Sequence, residues 1–131
     1  MLLTEIDHVA MAVNDLEKAA KWYEVAFGAH VTHREVVESD GVEEAMIQVA
    51  DSFVQLLCPT RADSPIAKFL EKRGEGIHHI AYRVENCELA LDELRVAGVA
   101  LVDEKPRPGS RGTTVAFVRP RFGHLIELVQ L

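Results

Sequence analysis

The chain has 131 residues and a mass of 14.6 kDa, with 48% hydrophobic and 27% charged side chains. That bounds one globular domain, or two small modules sharing one core, and excludes a disordered tail, a collagen and a disulfide miniprotein. A net charge of −7 argues against nucleic-acid binding. No apolar run approaches the ~20 residues of a bilayer span, and Met1-Leu2-Leu3-Thr4-Glu5 lacks the basic start of a signal peptide. With Cys58 and Cys87 as its only cysteines, the chain is expected to be cytoplasmic, its thiols buried and unpaired.

The elements follow an internal repeat. Ile6–Val13 is expected as the first strand. Asn14-Asp15 then starts a helix carrying Leu16, Ala19, Ala20, Tyr23 and Phe27 at helical spacing, stopped at Gly28. His30–Glu38 and Val42–Val49 flank Ser39-Asp40-Gly41, a hairpin turn signal, and Phe53–Leu57 closes the module. The segment Pro59–Gly76 reads as a linker with a short helix, Ser64 at its N-cap and Pro65 at its first position.

Ile77–Val84 then matches Ile6–Val13 at an offset of 71. Glu85-Asn86 starts a second helix with Leu91, Leu94 and Ala97 on one face, stopped at Gly98. Val99–Val102 and Thr113–Val118 are expected strands around a long Pro/Gly/Arg loop. Leu125–Val129 matches Phe53–Leu57 at an offset of 72. The expected architecture is therefore α+β. Two βαβββ modules, 1–58 and 77–131 joined by 59–76, form a mixed, partly closed eight-stranded sheet with a cavity.

The repeat singles out four polar residues in apolar strands, where they are costly to bury without partners. His8 and His79 are equivalent at one offset, and Gln55 and Glu127 at the other. Alternation sets His8 with Ala10 and Ala12, and His79 with Ala81 and Arg83, so small neighbours leave room for a ligand. Taken singly, each reads as an ordinary strand or rim residue. Together they offer two imidazoles, an amide oxygen and a carboxylate, a set suited to a divalent transition metal. His78 falls on the opposite face from His79. His30, His33 and His124 have no repeat partner and read as surface or rim residues. Residues 1–65 hold 4 basic and 12 acidic side chains, whereas Lys105–Ile126 holds Lys105, Arg107, Arg111, Arg119 and Arg121 and no acid. Such a local field suits an anionic ligand or, more plainly, a solvated loop edge.

Ile6-Asp7-His8-Val9-Ala10, Asp40-Gly41-Val42-Glu43-Glu44-Ala45-Met46, Gln55-Leu56-Leu57, Gly74-Glu75-Gly76-Ile77-His78-His79-Ile80-Ala81 and Leu125-Ile126-Glu127-Leu128 resemble the vicinal oxygen chelate superfamily, and within it the methylmalonyl-CoA epimerase family. The resemblance implies the paired βαβββ fold, His8, Gln55, His79 and Glu127 as metal ligands, and Glu44 and Glu127 as catalytic carboxylates. It implies an epimerase that removes and returns the C2 proton of a methylmalonyl thioester through an enolate. One divalent ion per chain is expected, cobalt first, with manganese, nickel or zinc as alternatives, in a homodimer acting on an acyl-CoA. Lys105, Arg107, Arg111, Arg119 and Arg121 are expected at the coenzyme A phosphates, with Lys68 and Lys72 as weaker choices. The turn Arg119–His124 is about two residues shorter than the family pattern. Alternatives on the same fold are a glyoxalase-like isomerase, an extradiol dioxygenase using His8, His79 and Glu127, and a metal-free binding protein.

Overall fold

Side-chain caps decide where the helices of this chain begin. Asp15 accepts from the Lys18 amide and starts α1 (Leu16–Phe27), Ser64 accepts from Ile66 and starts α2 (Pro65–Arg73), and Asn86 accepts from Leu89 and starts α3 (Cys87–Val96). Gly28, with φ 65°, ends α1 in the left-handed region, where a side chain is strained, and Gly98 follows α3 with φ 81°. The computed structural model describes all residues, 1–131, and adds nine strands to the three α-helices. These are β1 (Glu5–Ala12), β2 (Val31–Val37), β3 (Val42–Val49), β4 (Ser52–Pro59), β5 (Gly76–Arg83), β6 (Ala100–Leu101), β7 (Arg107–Pro108), β8 (Thr114–Arg119) and β9 (Leu125–Gln130). No helix is long and apolar enough to cross a membrane. The elements group into two compact units, Val9–His78 and the pair Met1–His8 with His79–Leu131.

In the unit Val9–His78, β2, β3 and β4 form an antiparallel meander. Alternation divides its residues between two apolar layers. Ala45, Ile47 and Leu56 pack with Leu16 and Ala20 of α1, whereas Val42 and Leu57 pack with Ala10, Ala12 and Ile66 of α2. Glu44 lies between Val42 and Met46 on the second face, as the alternation predicts, and is buried, while Glu43 is half-buried. The turn between β2 and β3 is a 3-10 turn, Glu38–Asp40, which takes Glu38 out of the expected strand.

In the unit Met1–His8 with His79–Leu131, β5 runs parallel to β9, and β9 runs antiparallel to β8. One face of β8 and β9, with Ala116, Val118 and Leu128, packs under α3 against Val84, Cys87, Ala90 and Leu91. The other face carries Ala81, Val115 and Val129, together with Glu127. The α+β class and the element order follow the sequence reading, but the strand count is nine instead of eight.

One added strand, β7, accounts for that difference, and a second, β6, is shorter than expected. The strand expected over Val99–Val102 shrinks to Ala100–Leu101, because the Val102 and Asp103 amides both donate to the Phe117 carbonyl, which ends regular pairing. The Pro/Gly/Arg loop contains β7, where Arg107 and Pro108 pair with Val115 and Thr114. Proline signals a loop in sequence, but an edge strand tolerates its missing N–H.

Candidate functional site

In the unit Met1–His8 with His79–Leu131, β5 and β9 set His79 and Glu127 on one face. Their register pairs His79 with Leu125 and Ala81 with Glu127, so the two polar side chains stand two positions apart. Ala81 opposite Glu127 leaves space for the carboxylate, and Phe117 of β8 flanks it on the other side. The Phe117 ring meets His79 edge-on at 5.1 Å. From β1, His8 brings its Nε2 to 3.2 Å from His79 Nε2 and 3.0 Å from Glu127 Oε1, and His79 Nε2 lies 3.4 Å from the same oxygen. All three residues are buried.

These separations suit a shared ion. Two donors bound at ~2.1 Å and a tetrahedral angle stand about 3.4 Å apart, close to the observed 3.0–3.4 Å. The orientation of His8 is fixed from behind, since its Nδ1 donates to Asp7 Oδ2 at 2.6 Å. A carboxylate on the outer nitrogen of a ligating imidazole sets its tautomer and aims the other nitrogen inward. Asp7, fully buried, is held in turn by Arg83 Nε at 2.8 Å and by Arg111 Nη2 at 2.6 Å. Arg83 also bonds Glu5. Arg111 takes φ 56° to do so, a left-handed conformation unusual outside glycine, and the buried pairing offsets its strain.

The electrostatics follow the geometry. Burial would lower the His8 pKa, but hydrogen bonds and charge from Asp7 and Glu127 outweigh it and raise it to about 9. Burial would raise the Glu127 pKa, but His79 and His8 bring it down to about 2. Asp7, despite burial, is pulled well below the usual carboxylate range by His8, Arg83 and Arg111. Asp7→Asn, which leaves two guanidinium groups without their buried anion, is expected to cost about 3 kcal/mol. Urea denaturation checks this as a fall in midpoint with an unchanged slope.

In the unit Val9–His78, Gln55 lies opposite Met46, one diagonal step from Glu44. Its Nε2 donates to Glu44 Oε1 at 3.0 Å. With the amide nitrogen so engaged, Gln55 Oε1 is buried with no hydrogen-bond partner. An acceptor left so costs about 1–3 kcal/mol, and it is the atom that amide ligation would use. On the same meander His33 Nε2 stands 3.0 Å from Glu35 Oε1 and 3.9 Å from Glu44 Oε2.

The structure thus brings His8, His79 and Glu127 together within one unit, and Glu44 and Gln55 together within the other. The basic candidates divide. Lys105, Arg119 and Arg121 are exposed, as are Lys68 and Lys72. Arg107 is occupied by Asp103 at 3.3 Å and lies over the Phe117 ring, and Arg111 is occupied by Asp7. Sequence reasoning passed over Asp7, which alternation sets on the face away from His8, and His33, which no repeat partner marked. His78 contacts the Phe69 ring at 5.1 Å.

The sequence profile described as the Glyoxalase/Bleomycin resistance protein/Dioxygenase superfamily matches residues 7–117. An ethylmalonyl-CoA/methylmalonyl-CoA epimerase of Cereibacter sphaeroides is 39% identical over 134 aligned residues, covering 99% of this chain and 100% of that protein. The crystal structure of methylmalonyl-CoA epimerase from Mycobacterium tuberculosis superposes with a TM-score of 0.93 at 40% identity, covering 98% of this chain and 89% of that one. A solved Streptomyces coelicolor methylmalonyl-CoA epimerase in complex with 2-nitronate-propionyl-CoA superposes with a TM-score of 0.92 at 40% identity, covering 98% of this chain and 94% of that one.

Proposed function

Since the chain belongs to the Glyoxalase/Bleomycin resistance protein/Dioxygenase superfamily, and within it to the methylmalonyl-CoA epimerase family, we propose that it is a divalent-metal-dependent epimerase interconverting (2R)- and (2S)-methylmalonyl-CoA. The observation that carries the metal half of this reading is the convergence of His8 Nε2, His79 Nε2 and Glu127 Oε1 within 3.4 Å. Gln55 Oε1, buried and without a hydrogen-bond partner, supports that residue as the fourth ligand.

The C2 hydrogen of the substrate lies between a thioester carbonyl and a carboxylate, so its removal gives an enolate. A bound divalent ion supplies positive charge where negative charge develops on the substrate oxygens. The chain's own residues supply the proton transfers. Epimerisation needs a proton taken from one face of C2 and another delivered to the opposite face, which calls for two acid/base groups. Glu44 and Glu127 fill these roles. Gln55, donating to Glu44 Oε1, fixes the rotation of that carboxylate. Asp7 holds His8 in one tautomer. The exposed cations Lys105, Arg119 and Arg121 are the leading candidates for the coenzyme A phosphates.

Cobalt is the metal proposed first, ahead of manganese, nickel and zinc, all of which an imidazole, amide and carboxylate set accepts. A homodimer acting in the cytoplasm completes the reading. The free thiols Cys58 and Cys87 support a reducing compartment, and β2, paired within its unit to β3, offers an edge for association. Proton NMR of methylmalonyl-CoA in D2O tests the activity. The cobalt-loaded protein is expected to erase the C2 proton signal and convert one epimer to the other. Retention of the signal with all four metals would overturn the reading.

A further inference from the structure

A second group of ligand-type side chains stands on the β2–β3 hairpin. One donor atom from each of His33, Glu35 and Glu44 lies within 4.8 Å of the other two. The register explains the grouping. Glu35 pairs directly with Glu44 across the two strands, and His33 stands two positions before Glu35, on the same face of β2. Two carboxylates set directly opposite each other repel, and the Glu44 side chain is 2% exposed, so water screens that repulsion poorly. A shared cation would offset it. His33 Nε2 lies 3.0 Å from Glu35 Oε1 and 3.9 Å from Glu44 Oε2. Donors on one ion with ~2.1 Å bonds stand at most about 4.2 Å apart, so both separations fit. Glu35, whose side chain is 35% exposed, can close the remaining gap by rotating.

We propose that His33, Glu35 and Glu44 form a second divalent-cation site, weaker than the first, and that its occupation withdraws Glu44 from proton transfer. One imidazole and two carboxylates suit cobalt, manganese or zinc. The site is weaker because two of its three ligands are a third exposed, whereas His8, His79 and Glu127 are all buried. Two anionic ligands neutralise the charge of the ion. Metal above the stoichiometric amount then inhibits the enzyme. The inhibition, unlike the binding, rests on the reading of Glu44 as a base.

Calorimetric titration of the metal-free chain with cobalt(II) alone tests the site without substrate. Wild type is expected to bind two equivalents of separated affinity. His33→Ala and Glu35→Gln are each expected to lose the weaker equivalent and keep the tighter one, which also reports that the variant is folded. A single equivalent in wild type, or a second equivalent kept by both variants, would overturn the site. Turnover is then read within each protein as the ratio of the rate with saturating cobalt to the rate with one equivalent. This ratio is expected to fall roughly a hundredfold in wild type and to stay near one in His33→Ala. A site that fills in wild type without lowering the ratio would overturn the inhibition and leave the binding standing. A chain that binds two equivalents and turns over nothing would overturn the epimerase reading, and the inhibition with it, and support the site.

Discussion

Glu127→Gln is expected to lower epimerase turnover by roughly ten-thousandfold, and Glu44→Gln by roughly a thousandfold, both with the fold retained. The two losses differ in kind. Glu127 is the anionic member of the donor cluster and accepts from both His8 and His79. Its amide analogue weakens ion binding as well as removing an acid/base group. Glu44 lies in the other unit, where it meets Gln55 and His33. Glu44→Gln should therefore keep its stoichiometric metal and lose only one face of the proton transfer.

Isotope exchange separates the two. With Glu44→Gln, one epimer should still exchange its C2 proton with D2O while failing to convert to the other. With Glu127→Gln and one equivalent of metal, exchange should fall in both. Metal content by elemental analysis and exchange by NMR check the pair. Full conversion by Glu44→Gln would remove it from the mechanism and leave the chain with a single base acting on both faces.

These residues were unevenly legible. His8, His79, Gln55 and Glu127 stood out because two offsets, 71 and 72, set polar side chains at matching places in apolar strands. Helix limits were legible because caps are local: Asp15, Ser64 and Asn86 each bond an amide two or three residues on. Asp7 was not, since its importance lies in Arg111, 104 positions away. The short-range alternation rule even pointed it away from His8. His33 needed the β2–β3 register, which places Glu35 opposite Glu44, before its neighbours could be known. The charge pattern over Lys105–Arg121 was real, but two of its cations, Arg107 and Arg111, are engaged by Asp103 and Asp7. A count of basic residues carries no information about which of them the fold has already paired.

Metal affinity is expected to rise about tenfold per pH unit as the pH is raised toward 9, or roughly a thousandfold from pH 6 to pH 9. The cause is the proton on His8. In the ion-free centre Asp7 and Glu127 hold the imidazole protonated up to about pH 9, while Glu127 stays ionised down to about pH 2. An imidazole binds metal only when neutral, so the incoming ion must displace that proton. Calorimetry at pH 7 in buffers of differing ionisation enthalpy should report about one proton released per ion bound. Stability runs the other way. A His8 pKa raised above its unfolded value of about 6.5 stabilises the ion-free fold fully below that pH, and the contribution is lost as the pH climbs through 9. The metal-free protein should therefore melt progressively earlier from pH 6.5 to pH 9, while the gap between its melting temperature and that of the loaded protein widens. An affinity independent of pH over that interval would mean that His8 enters the ion-free state already neutral, and the Asp7–His8–Glu127 chain would then serve orientation alone.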